Sequence, residues 1–263
     1  MKILFIGDIF GEIGREMISD YLPSIKQHYH VDMVIANGEN TTHGKGLLKK
    51  HYEELLYEGI SMITMGNHTY AKKEIFDYID EADRLVVPYN KPKALPGVGS
   101  RMIECKGKKI RVTNLLGLTF MDGKPQNPFE AIQDVLKDDT SDIHIVDFHG
   151  EATSDKIAFG YYMDGQVTAV LGTHTHVATA DEKILAGGTG FQCDVGMTGP
   201  YEGVIGCDKQ AIIDRNVKGI MTPFRIAEGE GQLNATLLTI DDQTNQCIDI
   251  ERICIDPFHK LKK

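Results

Sequence analysis

The segment Gly172-Thr173-His174-Thr175-His176 places two imidazoles in one short stretch, directly after the apolar run 167–171. Four other apolar runs also stop at polar, chemically useful residues. Run 2–6 leads into Gly7-Asp8, and 33–36 into Asn37-Gly38-Glu39-Asn40. Run 60–65 leads into Gly66-Asn67-His68, and 143–148 into His149-Gly150. Carboxylates, amides and imidazoles are the donors that hold divalent metals. A divalent ion needs several of them converging from different strands. The donors here are Asp8, Glu39, Asn40, Asn67, His149, His174 and His176. They are too many for one tetrahedral zinc but suit two ions that share a bridging carboxylate, for which Glu39 is the candidate. Taken singly, Asp8 also suits a helix cap, Glu39-Asn40 a turn, and His149 a core histidine. The combination of five segments carries the signal.

The elements that must position these donors follow from periodicity. Residues 12–28 have Ile13, Met17, Tyr21, Leu22 and Ile25 at helical spacing, and 48–58 and 70–80 predict two further helices. Apolar runs near 60–65 and 84–87 follow them. This β-α alternation predicts a mainly parallel sheet covered by helices, with ligands at the carboxyl ends of its strands. Two β-like runs within 101–118 predict a hairpin, and the Pro/Gly-rich stretch 121–128 separates them from a helix near 129–138. A strand at 143–148 and a helix near 152–163 come next. Runs 224–227, 235–240 and 247–254 are predicted strands, expected to form a second sheet. There is no internal repeat, low-complexity tract or linker, so residues 1–263 read as one sandwich-like α/β domain.

With 263 residues and a net charge of −10, the chain has room for a large core and lacks the basic balance of a protein that grips nucleic acid broadly. A nucleotide or short RNA end entering a metal site stays compatible, because the metals supply the positive charge. Five cysteines without a C-x-x-C pair read as reduced core thiols. The short apolar stretch after Met1-Lys2 does not have a signal-peptide layout, and no run approaches the roughly 18 apolar residues of a membrane span. The expectation is a cytoplasmic enzyme without membrane attachment.

The motifs Gly7-Asp8-Ile9-Phe10-Gly11, Asn37-Gly38-Glu39-Asn40, Gly66-Asn67-His68-Thr69, Asp147-Phe148-His149-Gly150-Glu151 and Gly172-Thr173-His174-Thr175-His176 together resemble the calcineurin-like metallophosphoesterases. More closely, they are similar to the YmdB-like bacterial phosphodiesterase branch. The likeness runs through Asp194-Val195-Gly196-Met197-Thr198-Gly199-Pro200 and covers nearly the whole chain. It implies a sandwich of two central β-sheets flanked by α-helices, holding two divalent or trivalent metal ions. One ion would take Asp8, Glu39, Asn40 and His176, and the other Glu39, Asn67, His149 and His174. It also implies that His68 is the catalytic histidine, protonating the leaving oxygen or stabilising the pentavalent phosphorus. The chain departs from the superfamily's D-x-H at Phe10, where an imidazole is usual, and Asn40 stands as its replacement. Glu39 replaces the usual aspartate, and Thr69 stands where an acid is common. A carboxamide oxygen in place of an imidazole makes the site harder, which favours iron or manganese over zinc.

The resemblance implies a phosphodiesterase of 2',3'-cyclic and 3',5'-cyclic nucleoside monophosphates or other small phosphodiesters. It further implies self-association and a functional link to RNA turnover. Paired metals suit that chemistry, since they bind phosphoryl oxygens and lower the pKa of water. The segment from Thr41 through His43 and Lys45 to Gly46, and the glycine-rich stretch 187–206 with Tyr201, are candidates for substrate contacts. The alternatives are a phosphomonoesterase or nuclease using the same metals, against whose processive form the acidity weighs, and a metal-stabilised protein that binds a nucleotide without turnover.

Overall fold

Successive residues of a strand face opposite ways, and here both faces are apolar. In β1 (Lys2–Ile6), Leu4 and Ile6 enter one core while Ile3 and Phe5 enter another. Such strands must be covered on both sides, and the computed structural model, which describes residues 1–220 and 223–261, covers them in four layers.

The first half of the chain runs β1, β2 (Asp8–Ile9), α1 (Gly11–Tyr29), β3 (Met33–Asn37), α2 (Lys49–Tyr57), β4 (Met62–Thr64), α3 (Ile75–Tyr78) and β5 (Leu85–Val86). Then come β6 (Ser100–Cys105), β7 (Lys108–Leu116), α4 (Pro128–Leu136), β8 (Ile143–His149), α5 (Thr153–Tyr162) and β9 (Ala169–Thr173). The last third holds β10 (Lys183–Ile184), β11 (Gly190–Gln192), β12 (Met197–Pro200), α6 (Lys209–Lys218), β13 (Gly231–Ile240) and β14 (Cys247–Ile255).

One sheet has the order β2-β12-β13-β1-β3-β4-β5, with β14 also on β13, and the other has β10-β11-β9-β8-β7-β6. Strands β1, β3, β4 and β5 are parallel, as are β7, β8, β9 and β11. Ile3, Phe5, Met33 and Ile35 meet Val112, Ile145, Ala169 and Leu171 between the sheets. Outside them, Ile18, Leu22 and Ile25 of α1 with Leu55 of α2 cover the first sheet, and Ile132 of α4 with Phe159 of α5 cover the second. The carboxyl ends of β3, β4, β8 and β9 therefore converge on one edge.

Four expectations change. The C-terminal strands do not build the second sheet. β13 pairs antiparallel with β1 and β14 with β13, because Leu233, Ala235 and Leu237 complete the core under α1. The second sheet is instead made from the middle of the chain. The helix expected over 70–80 shrinks to α3, since residues before it bend through turns such as Ala71 N–H to His68 O. Residues 224–227 make only a bridge, Cys207 with Ile226. Cys254 is exposed and Cys105 and Cys207 are half-buried, so only Cys193 and Cys247 are core thiols. Helix α6 was not foreseen; capped by Asp208, it buries none of its own residues, and its apolar Ile213 and Val217 stay exposed. Among the described residues no helix is long and apolar enough to cross a membrane.

Candidate metal centre

β8 ends on His149 and β9 on Thr173, side by side in parallel register. The chain then turns so that His174 and His176 both adopt positive φ, 105° and 66°. Such conformations cost roughly 1–3 kcal/mol each in a non-glycine residue and persist only where surroundings impose them. The imposing group is Asp194. Its Oδ2 accepts from Thr175 N–H at 3.1 Å, from Thr175 Oγ1 at 2.8 Å and from Lys156 Nζ at 2.7 Å. Lys156 also donates to Thr173 O at 3.2 Å, and both charged side chains are buried.

On the other sheet, Asn37 at the end of β3 accepts from Glu39 N–H at 3.1 Å and donates to Met65 O and to Asp147 Oδ2, each at 3.0 Å. Glu39 Oε2 takes the His68 N–H at 2.8 Å. Gly66 is required by space. A Cβ there would lie 2.3 Å from Glu39 Oε2 and 2.4 Å from His149 Nε2.

These supports bring lone pairs together. Thr173 Oγ1 gives its single proton to Asp147 Oδ1 at 2.6 Å, so the His149 Nδ1–H donates to Thr173 Oγ1 at 2.8 Å. That leaves His149 Nε2 facing Glu39 Oε1 at 3.1 Å, Asn67 Oδ1 at 3.0 Å and His174 Nδ1 at 3.0 Å. At most one proton is available there for three acceptors, and the ligand atoms of Glu39, His149 and His174 lie within 4.8 Å of one another. A second group adjoins it. His176 Nδ1–H donates to Ile205 O at 2.9 Å, which turns its Nε2 inward, 3.1 Å from Asn40 Nδ2. The same amide nitrogen lies 3.4 Å from Asp8 Oδ1 and 3.3 Å from Glu39 Oε1, and His176 Nε2 is 3.8 Å from Asp8 Oδ1. Asp8 thus lies in this cluster and does not cap a helix; its Oδ2 takes the His174 N–H at 3.2 Å. Acceptors converging this densely fit cations.

Electrostatics agree. Burial opposes charge on His149, but the Glu39, Asp8 and Asp147 carboxylates outweigh it and push its pKa up to about 9. Burial alone would raise Glu39, yet His149 and His68 bring it down to about 2. Burial raises Asp8, and burial with the His149 charge holds His174 down to about 3. Burial likewise lowers His68. The His149 charge is thus favoured by the carboxylates of Glu39, Asp8 and Asp147, surroundings that suit a cation.

All seven predicted donors meet at this centre, and His68 lines the cleft above it, a space of about 480 Å³. The expected substrate contacts divide. Exposed Lys45 lines the cleft, whereas Thr41 does not, because it is buried with its hydroxyl unpartnered. His43 is exposed outside the lining, and Tyr201 packs edge-on against Phe258 at 6.0 Å. Sequence reasoning assigned no role to Glu151, whose carboxylate is 3.1 Å from His174 Nε2, or to the Lys156–Asp194 pair. Lys156 had a readable signal. It shares the buried face of α5 with Phe159 and Gly160, at the i, i+3, i+4 spacing of core positions.

A family model described as YmdB-like protein matches residues 4–253. The chain belongs to the YmdB-like family. A 2',3'-cyclic-nucleotide 2'-phosphodiesterase from Bacillus subtilis (strain 168) is 46% identical over 261 residues, covering 98% of this chain and 98% of its own. Among solved structures, a novel phosphatase from Mycoplasma pneumoniae superposes with a TM-score of 0.93 at 40% identity, over 98% of this chain and 95% of that one. A hypothetical protein from Thermus thermophilus gives 0.91 at 38% identity, over 97% and 99%. This YmdB-like chain is a hydrolase with the two-sheet metallophosphoesterase fold.

Proposed function

We propose that the chain is a dinuclear-metal phosphodiesterase that hydrolyses cyclic nucleotides, 2',3'-cyclic and 3',5'-cyclic nucleoside monophosphates. The observation that carries this reading is the excess of inward-facing acceptors around Glu39. Asp8, Glu39, Asn40 and His176 hold one cation, and Glu39, Asn67, His149 and His174 the other. Cations bound there supply Lewis acidity toward phosphoryl oxygens and bring water's pKa toward neutrality. The donor set of carboxylates, carboxamides and imidazoles suits iron or manganese. The Bacillus relative, whose name states a 2',3'-cyclic-nucleotide substrate, supports the choice of diester.

The protein's own groups do the rest. His68 sits on the loop that carries Asn67, with its backbone N–H on Glu39 Oε2 and its ring at the cleft. There it donates a hydrogen bond to the phosphoryl group or a proton to the leaving oxygen. The His174 Nε2–H donates to Glu151, which aims Nδ1 at the centre; Ile205 O does the same for His176 Nε2.

The test is turnover of 2',3'-cyclic AMP by purified protein, with metal content measured on the same sample and a phosphomonoester run in parallel. About two metals per chain and preferential diester turnover are expected. His68→Ala should keep both metals while losing about a hundredfold to ten-thousandfold in kcat. A fully metallated protein inert toward diesters would overturn the reading.

A further inference from the structure

The cleft above the metal centre has two chemically different sides. One is polar and consists of the centre itself with His68 and Glu151. The other is formed by Phe10, Val177, Ile205 and Phe224, none of which has a hydrogen-bonding side chain. Val177 is 60% exposed, Ile205 51% and Phe224 52%, a concentration of wet apolar surface beside an ionic cluster.

This wall is held in place. Phe10 is buried, its ring edge-on to the His176 ring at 5.4 Å and tilted against Phe224 at 6.4 Å. The main chain closes on both rings. A Cβ on Gly44 would come within 2.9 Å of Phe10 and 3.1 Å of Phe224, and one on Gly206 within 2.7 Å of Phe10. Ile205 itself has φ 49°, and its carbonyl orients His176. Phe224 therefore stands a fixed step from a metal-binding imidazole, half in water. Lys45, exposed on the same cleft, offers positive charge to a phosphate.

We propose that Phe224, with Val177 and Ile205, is the nucleobase subsite, and that it takes the base by its face and not by its edge. The proposal rests on the phosphodiesterase reading above and adds to it a specificity. Edge recognition needs donors and acceptors aimed at the base; the side chains of Phe10, Val177, Ile205 and Phe224 carry none, and the Cys207 thiol that also lines the cleft is only a weak donor. The nearby Thr175 hydroxyl is committed to Asp194. Every base has a π-face, so stacking tolerates any base while favouring nucleotides over base-free diesters.

Steady-state kinetics on the metal-loaded protein test this, using the 2',3'-cyclic monophosphates of adenosine, guanosine, cytidine and uridine, and methyl riboside 2',3'-cyclic phosphate as the base-free probe. The four nucleotides should agree in kcat/KM within about tenfold, all above the base-free diester. Phe224→Ala should lower the nucleotide to base-free ratio about tenfold, mainly through KM, with metal content unchanged. Phe224→Trp should preserve the ratio, and Val177→Ala should lower it less. A ratio that Phe224→Ala leaves unchanged, or a wild-type preference for one base above about a hundredfold, overturns the subsite and leaves diester hydrolysis standing. A metallated wild type inert toward all five diesters overturns both readings.

Discussion

The two halves of the candidate metal centre share Glu39 but are closed by different means. Around His149, Asn67 and His174 the gap between acceptors is filled by a proton on a buried imidazole. Around Asp8 and His176 it is filled by the amide nitrogen of Asn40. A cation entering the first half must expel a proton, whereas one entering the second requires Asn40 to turn its carboxamide and present oxygen. On the proposed ligand sets, filling the first half would release the His149 proton, whereas filling the second would turn Asn40 and require only that Asp8, raised by burial, be ionised.

The strongest test of that comparison removes what the halves share. Glu39→Ala should reduce bound metal below one per chain and bring diester turnover to background, as read by metal analysis and kinetics on one preparation. Retention of one tight metal would mean that the halves are independent.

Next in size is the support beneath the loop that carries His174 and His176, one for each half. Lys156→Met leaves Asp194 buried without its cation, which costs about 3–5 kcal/mol. Denaturant unfolding should show that loss, and metal affinity should fall about 10–100-fold as the loop carrying His174 and His176 relaxes. Lys156→Arg should recover part of both. Unaltered affinity in a destabilised Lys156→Met would reduce the pair to a structural role.

A smaller effect separates the halves by pH. The His149 pKa is raised in the folded, metal-free protein, so the folded chain holds a proton that the unfolded chain releases near 6.5. Its contribution to stability is complete below pH 6.5 and is lost as pH rises through about 9. Calorimetry of chelated protein should show Tm falling over that interval. Metal titration should show one site tightening about tenfold per pH unit up to about pH 9. The other site, which does not take His149, should respond less over that interval. Asn40→Ala, the mildest change, should weaken only that other site. Parallel pH slopes would erase the distinction.

Much of this centre was legible because parallel strands deliver their carboxyl ends to one edge, so Asp8, Glu39, Asn67, His149 and His174 declare themselves as polar stops after apolar runs. What was not legible depends on contacts remote in sequence. Nothing local to Tyr201 indicates that Phe258 takes its ring, or that Phe10 and Phe224 line the cleft instead. The strands at 231–240 and 247–255 have the alternation of any strand, and only the unfilled space beside β1 decides their sheet. Helix α6 has Ile213 and Val217 at helical spacing, but both stay exposed, so the pattern marks no core-facing side. Which nitrogen of His149 points inward depends on a proton held between Thr173 and Asp147, a matter of sub-ångström tertiary placement.

The pairing of the first strands with the last has a consequence in time. Asp8 N–H bonds Gly196 O and Gly7 N–H bonds Asn234 O, while β1 waits for β13 to complete its second edge. A ribosome synthesising this chain releases Gly7 and Asp8 long before their anchors, Asn234 and Gly196. Until Gly196 and Asn234 have both emerged, Asp8 is made but unanchored, and the cluster around Glu39 cannot close.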